Sequence, residues 1–129
     1  AFALDDRNSC DPDRMDPEVC RFLTDFQDTE RFTLMLSHRP DSFALGEAAR
    51  TWSIDLVLSG HAHGGQVVLP VLGGVFGGDL GLFSPYLHGM CRKDGLTMAV
   101  TSGLGSQRER LPRFHNPPEI MVIDLTPES

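Results

Sequence analysis

An α/β fold with a mixed sheet is predicted by three features of the chain. Residues 32–36 (FTLML) and 54–58 are short, almost continuously apolar runs with a helical pattern between them, the βαβ signature of two parallel strands joined by a crossover. Residues 89–92 and 96–102 flank Lys93, Asp94 and Gly95, which reads as an antiparallel hairpin closed by an Asp-Gly turn. A length of 129 residues, 40% hydrophobic and 22% charged, suits a single domain, 1–129, folded around one core.

Taken in order, residues 2–4 form a short apolar run stopped by Asp5 and Asp6, the end of a strand entering a polar loop. Asp16 is placed to cap a helix with Pro17 at its first position and Glu18 in its first turn. Val19, Phe22, Leu23 and Phe26 then fall at i, i+3, i+4 and i+7 and make one apolar face. The run 32–36 predicts a buried strand. After it, Asp41 or Ser42 is placed to cap a helix through Phe43, Leu45, Ala48, Ala49 and Trp52, and the run 54–58 predicts a second strand ending at Ser59, Gly60 and His61. Twelve of the 13 glycines lie from Gly60 to Gly105, so this stretch is rich in loops that need positive φ or close backbone approach. The last apolar run, 120–125, follows Asn116-Pro117-Pro118-Glu119 and predicts a closing strand.

Charge excludes one class of partner. Eleven Lys and Arg against 18 Asp and Glu leave a net charge of −7, so no nucleic-acid partner is expected. Residues 1–30 hold nine acids against three bases and read as a solvated face. No run approaches the roughly 18 apolar residues that span a bilayer, and the N-terminus lacks the layout of a signal peptide. Cys10, Cys20 and Cys91 form no CxxC pattern and are too sparse for a disulfide scaffold, which favours a reducing compartment.

The chemistry gathers at the strand ends. His38 directly follows the first strand of the βαβ unit, and His61 and His63 directly follow the second. Ligands bind outside the carboxyl ends of strands in open α/β sheets, and adjacent parallel strands bring those ends together. Three imidazoles on one rim beside flexible glycine backbone make a candidate metal site. The H-x-H spacing lets the alternate side chains serve one ion or two neighbours. His88 and His115 fall outside this constellation. Asp41 is better explained as a helix cap, Asp55 belongs at the opposite end of the sheet, and Asp5 and Asp6 lie at another strand end. Arg39, Arg108, Arg110 and Arg113 are candidate phosphate contacts, with Arg39 and Arg113 carried forward as substrate-binding residues.

Leu58-Ser59-Gly60-His61-Ala62-His63-Gly64-Gly65-Gln66 resembles the GHxH motif of calcineurin-like metallophosphoesterases, in particular a bacterial branch with GHxHGGQ followed by a proline-containing loop, here residues 67–70. Leu36-Ser37-His38-Arg39-Pro40-Asp41 resembles that branch's preceding metal-histidine motif. Thr101-Ser102-Gly103-Leu104-Gly105 and Arg113-Phe114-His115-Asn116-Pro117-Pro118-Glu119 are similar to its C-terminal signature. The resemblance extends from about residue 32 to 125.

It implies a two-metal site (manganese, iron or zinc) that hydrolyses phosphomonoesters, phosphodiesters or pyrophosphates with a hydroxide bridging ions roughly 3.5–4 Å apart. In that scheme His38 and His61 ligate one metal and His63 the other. The family's Asp-x-His, Gly-Asp and Gly-Asn-His motifs are not found here, and the general acid belongs with them, so no catalytic residue is assigned. The chain, which begins at Ala1, therefore reads as the C-terminal half of the family's αββα sandwich, with partial or no metal occupancy and weak or no activity alone. The substrate class extends to phospholipid-type phosphoesters. The sheet face meant for the missing half predicts a homodimer or strand exchange. Localisation stays open between cytoplasmic and membrane-associated.

The alternative from another class is a non-catalytic metal-binding or protein-interaction domain, in which the three histidines hold one ion. A cupin-type site also uses H-x-H, but Val67 stands where its Glu belongs.

Overall fold

The computed structural model describes residues 16–45, 48–105 and 112–127; the run at 2–4, Asp5, Asp6, Cys10, Arg108 and Arg110 lie outside them. The predicted helix is α1 (Pro17–Gln27). Asp16 Oδ1 accepts the Glu18 N–H at 2.8 Å, and Pro17 occupies the first turn, where a missing N–H costs nothing. Val19 and Leu23 are buried and Cys20 and Phe26 pack beside them, while Phe22 is exposed and stacks on Phe26.

Two single-turn helices, α2 (Asp41–Ala44) and α3 (Ala48–Thr51), stand where one helix through residues 43–52 was predicted. Leu45 is extended, with φ −97° and ψ 155°, so the first turn cannot propagate. The predicted cap is also corrected. Pro40 holds the N-cap position without a side-chain hydrogen bond, and the Asp41 carboxylate pairs with Arg39 instead.

The strands among the described residues are β1 (Leu34–Leu36), β2 (Leu56–Ser59), β3 (Val68–Leu69), β4 (Gly73–Gly74), β5 (Gly89–Lys93) and β6 (Leu96–Val100). Four form a mixed sheet ordered β1-β2-β6-β5, with β1, β2 and β6 parallel and β5 antiparallel to β6; β3 and β4 make a separate antiparallel ribbon. The βαβ pairing and the hairpin follow the sequence reading. Asp94 and Gly95 take φ of 49° and 90°, the two left-handed positions of a type I′ turn.

Register places Met35, Val57, Met98 and Cys91 in one row. With Val19, Leu23, Phe43, Ala48 and Trp52 they form the core on the helix-covered face. Thr33 and Asp55 lock β1 to β2 at the amino end. The Thr33 amide and hydroxyl both donate to Asp55 Oδ2 at 2.7 Å, and the Asp55 N–H donates to Thr33 Oγ1 at 2.9 Å. These donors, the Thr33 amide first, hold the Asp55 carboxyl below its usual range.

On the other face the paired row Leu36, Leu58, Ala99 and Met90 has a buried centre at Ala99, but Leu36 is 75% and Met90 60% exposed. The run 32–36 is thus not buried throughout: Phe32 and Leu36 are exposed, and among the described residues β1 is the edge strand of the sheet. The predicted closing strand at 120–125 is also corrected: residues 120–123 alternate between exposed and half-buried, but none of 120–125 pairs with a strand among the described residues. No described helix is long and apolar enough to cross a membrane.

Candidate metal centre

The carboxyl ends of β1 and β2 stay paired just beyond the strands. Ser37 N–H donates to Leu58 O at 3.0 Å and Gly60 N–H donates to His38 O at 3.2 Å, so the residues that follow are held side by side. His38 and His61 meet there, with His38 Nε2 and His61 Nδ1 2.9 Å apart and ring centroids 4.7 Å apart, edge to face. Burial first, then the neighbouring His38 and Arg39, hold the His61 pKa below its ordinary value, so this imidazole is neutral and offers a lone pair at neutral pH.

Beyond His61 the backbone winds through an unusual path. His61, His63, Gly64, Gly65 and Gln66 all have positive φ, at 61°, 47°, 63°, 82° and 59°, with Ala62 alone at −69°. Strain of this kind in non-glycine residues collects at functional sites. The glycines answer to close approach as well as to φ. A Cβ on Gly64 would lie 2.9 Å from Asn116 Oδ1, and one on Gly65 would lie 2.8 Å from Gly74 Cα.

This path separates the two histidines of the H-x-H. His61 faces His38, whereas His63 Nδ1 lies 3.4 Å from Arg113 Nη2, and the His63 ring sits against Gly105. Both still line one cavity of about 280 Å³, shared with Arg39, Asp41, Gln66 and Phe76. Arg39 is held bidentately by Asp41, at 3.1 and 2.6 Å, and by Asp79 at 2.7 Å, which ties the glycine-rich loop to the rim. Arg113 directs its guanidinium at the Gly105, Ser102 and Gly103 carbonyls, at 2.8, 2.5 and 3.0 Å. Gln66 is buried, and its amide O and N have no hydrogen-bond partner among the described residues, an unmet capacity that marks the cavity wall as polar and unsatisfied.

His88 and His115 are placed elsewhere. His88 pairs with Glu119 at 2.9 Å, and His115 stacks on Phe114 with centroids 4.3 Å apart. Sequence reasoning passed over Gln66, Asp79 and Asn116 as individual residues. Gln66 and Asn116 do stand inside the quoted motifs, while Asp79 lies 40 positions from its partner Arg39 and carries no local signal.

Curated proteins to which the chain is similar include three bacterial ones. It is 38% identical over 96 residues to an uncharacterized metallophosphoesterase, YkuE, of Bacillus subtilis, covering 73% of this chain and 31% of that protein. It is 36% identical over 104 residues to an uncharacterized metallophosphoesterase of Helicobacter pylori (80% and 26%), and 32% identical over 110 residues to one of Campylobacter jejuni (84% and 26%). These likenesses support a metallophosphoesterase family for the chain. It spans about a quarter to a third of the length of these relatives. No family model and no solved structure matches it.

A metallophosphoesterase depends on divalent metal ions and hydrolyses phosphoester bonds in general. The donor set fits that requirement in part. Two nitrogens sharing one cation at 2.0–2.1 Å in a tetrahedral shell stand about 3.3 Å apart, so the 2.9 Å His38–His61 pair needs only a small opening. Among the described residues no three His, Cys, Asp or Glu side chains converge into a full ligand set. The rim is a pair of imidazoles beside a cavity lined by both polar and apolar residues.

Proposed function

We propose that this chain carries part of the site of a metal-dependent phosphoester hydrolase, with His38 and His61 holding one divalent cation, His63 a second, and the remaining ligands and the general acid supplied from outside its described residues. Manganese, iron or zinc suits imidazole donors. The cations, when bound, polarise phosphoryl oxygens and lower the pKa of water. The observation that carries the reading is the His38–His61 contact at the ends of two adjacent parallel strands, where open α/β sheets bind ligands.

The chain's own groups support it. His61 stays neutral at neutral pH and so competes for a cation without first losing a proton. Arg39, on the cavity wall, supplies a guanidinium for a phosphoryl group while Asp41 and Asp79 fix its direction. Arg113 stands behind His63, with its N–H groups turned to backbone carbonyls. The substrate is a phosphodiester, phosphomonoester or pyrophosphate, with phospholipid-type esters included in the class.

The test is hydrolysis of bis(p-nitrophenyl) phosphate with Mn²⁺, by this chain and by the product of the whole reading frame that contains it. Activity in the longer product that falls at least about 100-fold with His61→Ala, at unchanged thermal stability, is the expected result. Tight Mn²⁺ binding with no hydrolysis of any phosphoester by the longer product would replace this reading with that of a non-catalytic metal-binding domain.

A further inference from the structure

We infer that Asn116, braced by Arg113, is the positioning residue that sets the His61–Gln66 turn and therefore the place of His63; the inference rests on the proposed role of His63 as a metal ligand. Asn116 is buried and comes from a segment 53 positions away from His63 in sequence. Its amide Nδ2 donates to two carbonyls of the turn, His63 O at 2.5 Å and Gln66 O at 3.1 Å. Its Oδ1 accepts from Arg113 Nη1 at 3.3 Å, and Arg113 Nη2 reaches the His63 ring. A second strut is backbone: Phe114 N–H donates to Gln66 O and Val68 N–H donates to Phe114 O.

The chemistry selects asparagine. The turn exposes two carbonyls to one point because its residues are left-handed, and a single primary amide supplies two N–H donors there while its oxygen receives the arginine. Aspartate has the shape but no donor, and alanine has neither. Gly64 leaves the space that the Asn116 oxygen fills. The segment is in turn fastened at Glu119, whose carboxylate accepts from Ser102 N–H at 3.0 Å and Thr101 Oγ1 at 3.1 Å, and whose N–H donates to Gly103 O at 3.0 Å. Thus the 113–119 segment braces the turn from behind, on the side away from the His61 and His63 cavity. Groups that orient a ligand are worth about 10- to 100-fold in metal affinity when removed.

Asn116→Ala, Asn116→Asp and the control Thr33→Ala, which removes a buried hydroxyl at the far end of the sheet, are compared in this chain by amide hydrogen exchange and by titration with Co²⁺ followed in visible absorbance. Both Asn116 variants are expected to speed exchange at Gly65 and Gln66, whose N–H groups bond within the turn, by about tenfold, with Val57 and Met98 still protected. They are also expected to weaken Co²⁺ binding and change its absorption band, whereas Thr33→Ala lowers thermal stability and leaves both unmoved. Unchanged exchange at Gly65 and Gln66, or equal weakening of Co²⁺ by Thr33→Ala, overturns the inference. If the unmodified chain, which has no full ligand set among its described residues, binds no Co²⁺, amide exchange at Gly65 and Gln66 alone decides whether Asn116 sets the turn, and the hydrolysis assay given above decides the metal reading. Arg113→Lys, which keeps the charge but loses the fork, carries the same comparison should the Asn116 variants not fold.

Discussion

His61, His63 and Gln66 each hold a left-handed backbone that costs a non-glycine residue about 1–3 kcal/mol, and the surrounding hydrogen bonds show where that cost is met. The Asn116 amide and the Phe114 N–H take the carbonyls that this path turns outward. Glu119 fastens the same segment, and its carboxyl is held below the ordinary glutamate range, first by His88 and then by the Ser102 N–H. The sign of its pH effect follows from linkage. A depressed folded-state pKa stabilises the fold above the unfolded glutamate value, about 4.3, and this contribution is lost as pH falls through the lower folded value. Glu119→Gln is therefore expected to flatten the acid limb of a Tm-against-pH curve below about pH 4.3; an acid limb of unchanged steepness would deny the carboxylate that role.

Capping and turn chemistry govern the elements. Helix α1 starts where an aspartate with a following proline predicts a start, and Asp16→Ala is expected to lower stability by about 1 kcal/mol in urea unfolding, with the helix's circular dichroism otherwise retained. No change in the urea midpoint would mean that the Asp16 to Glu18 bond adds nothing in solution. The β5–β6 hairpin obeys the same local logic at Asp94-Gly95. The segment between β1 and β2 does not: its apolar spacing is helical from Phe43 to Trp52, yet an extended Leu45 divides it. There the pull on Phe43, Ala44, Ala48 and Trp52 into one core outweighs the continuity of a helix.

At the level of the whole molecule, helices cover one face of the sheet, and among the described residues no helix covers the other. Helices α1, α2 and α3 cover the row of Met35, Val57 and Met98, whereas Leu36 and Met90 on the other face are exposed. The chain spans about a quarter to a third of its relatives' length, which is consistent with a surface made to be covered. Self-association of this chain is accordingly proposed, with a concentration-dependent sedimentation coefficient as the expected result and its loss in the double variant Leu36→Ser, Met90→Ser. A monomer at all concentrations would refute it. The same arrangement bears on catalysis, since the rim supplies imidazoles and no complete ligand set among the described residues.

What the order of residues determined by itself was local or nearly so: the α1 cap, the parallel βαβ pair with His38 and His61 at its carboxyl ends, the Asp-Gly hairpin, and the family, carried by GHAHGGQ and RFHNPPE. Each depends on chemistry within a few positions or on the fixed geometry of adjacent parallel strands. Only the tertiary structure decided that His63 turns from His61 toward Arg113, that Arg39 is held by Asp79, that Asn116 bonds to the histidine turn, and that residues 120–125 pair with no strand among the described residues. Those outcomes join residues as many as 53 positions apart. A hydrogen bond across such a span is chosen by which carbonyls the folded backbone turns outward, and periodicity carries no record of that direction.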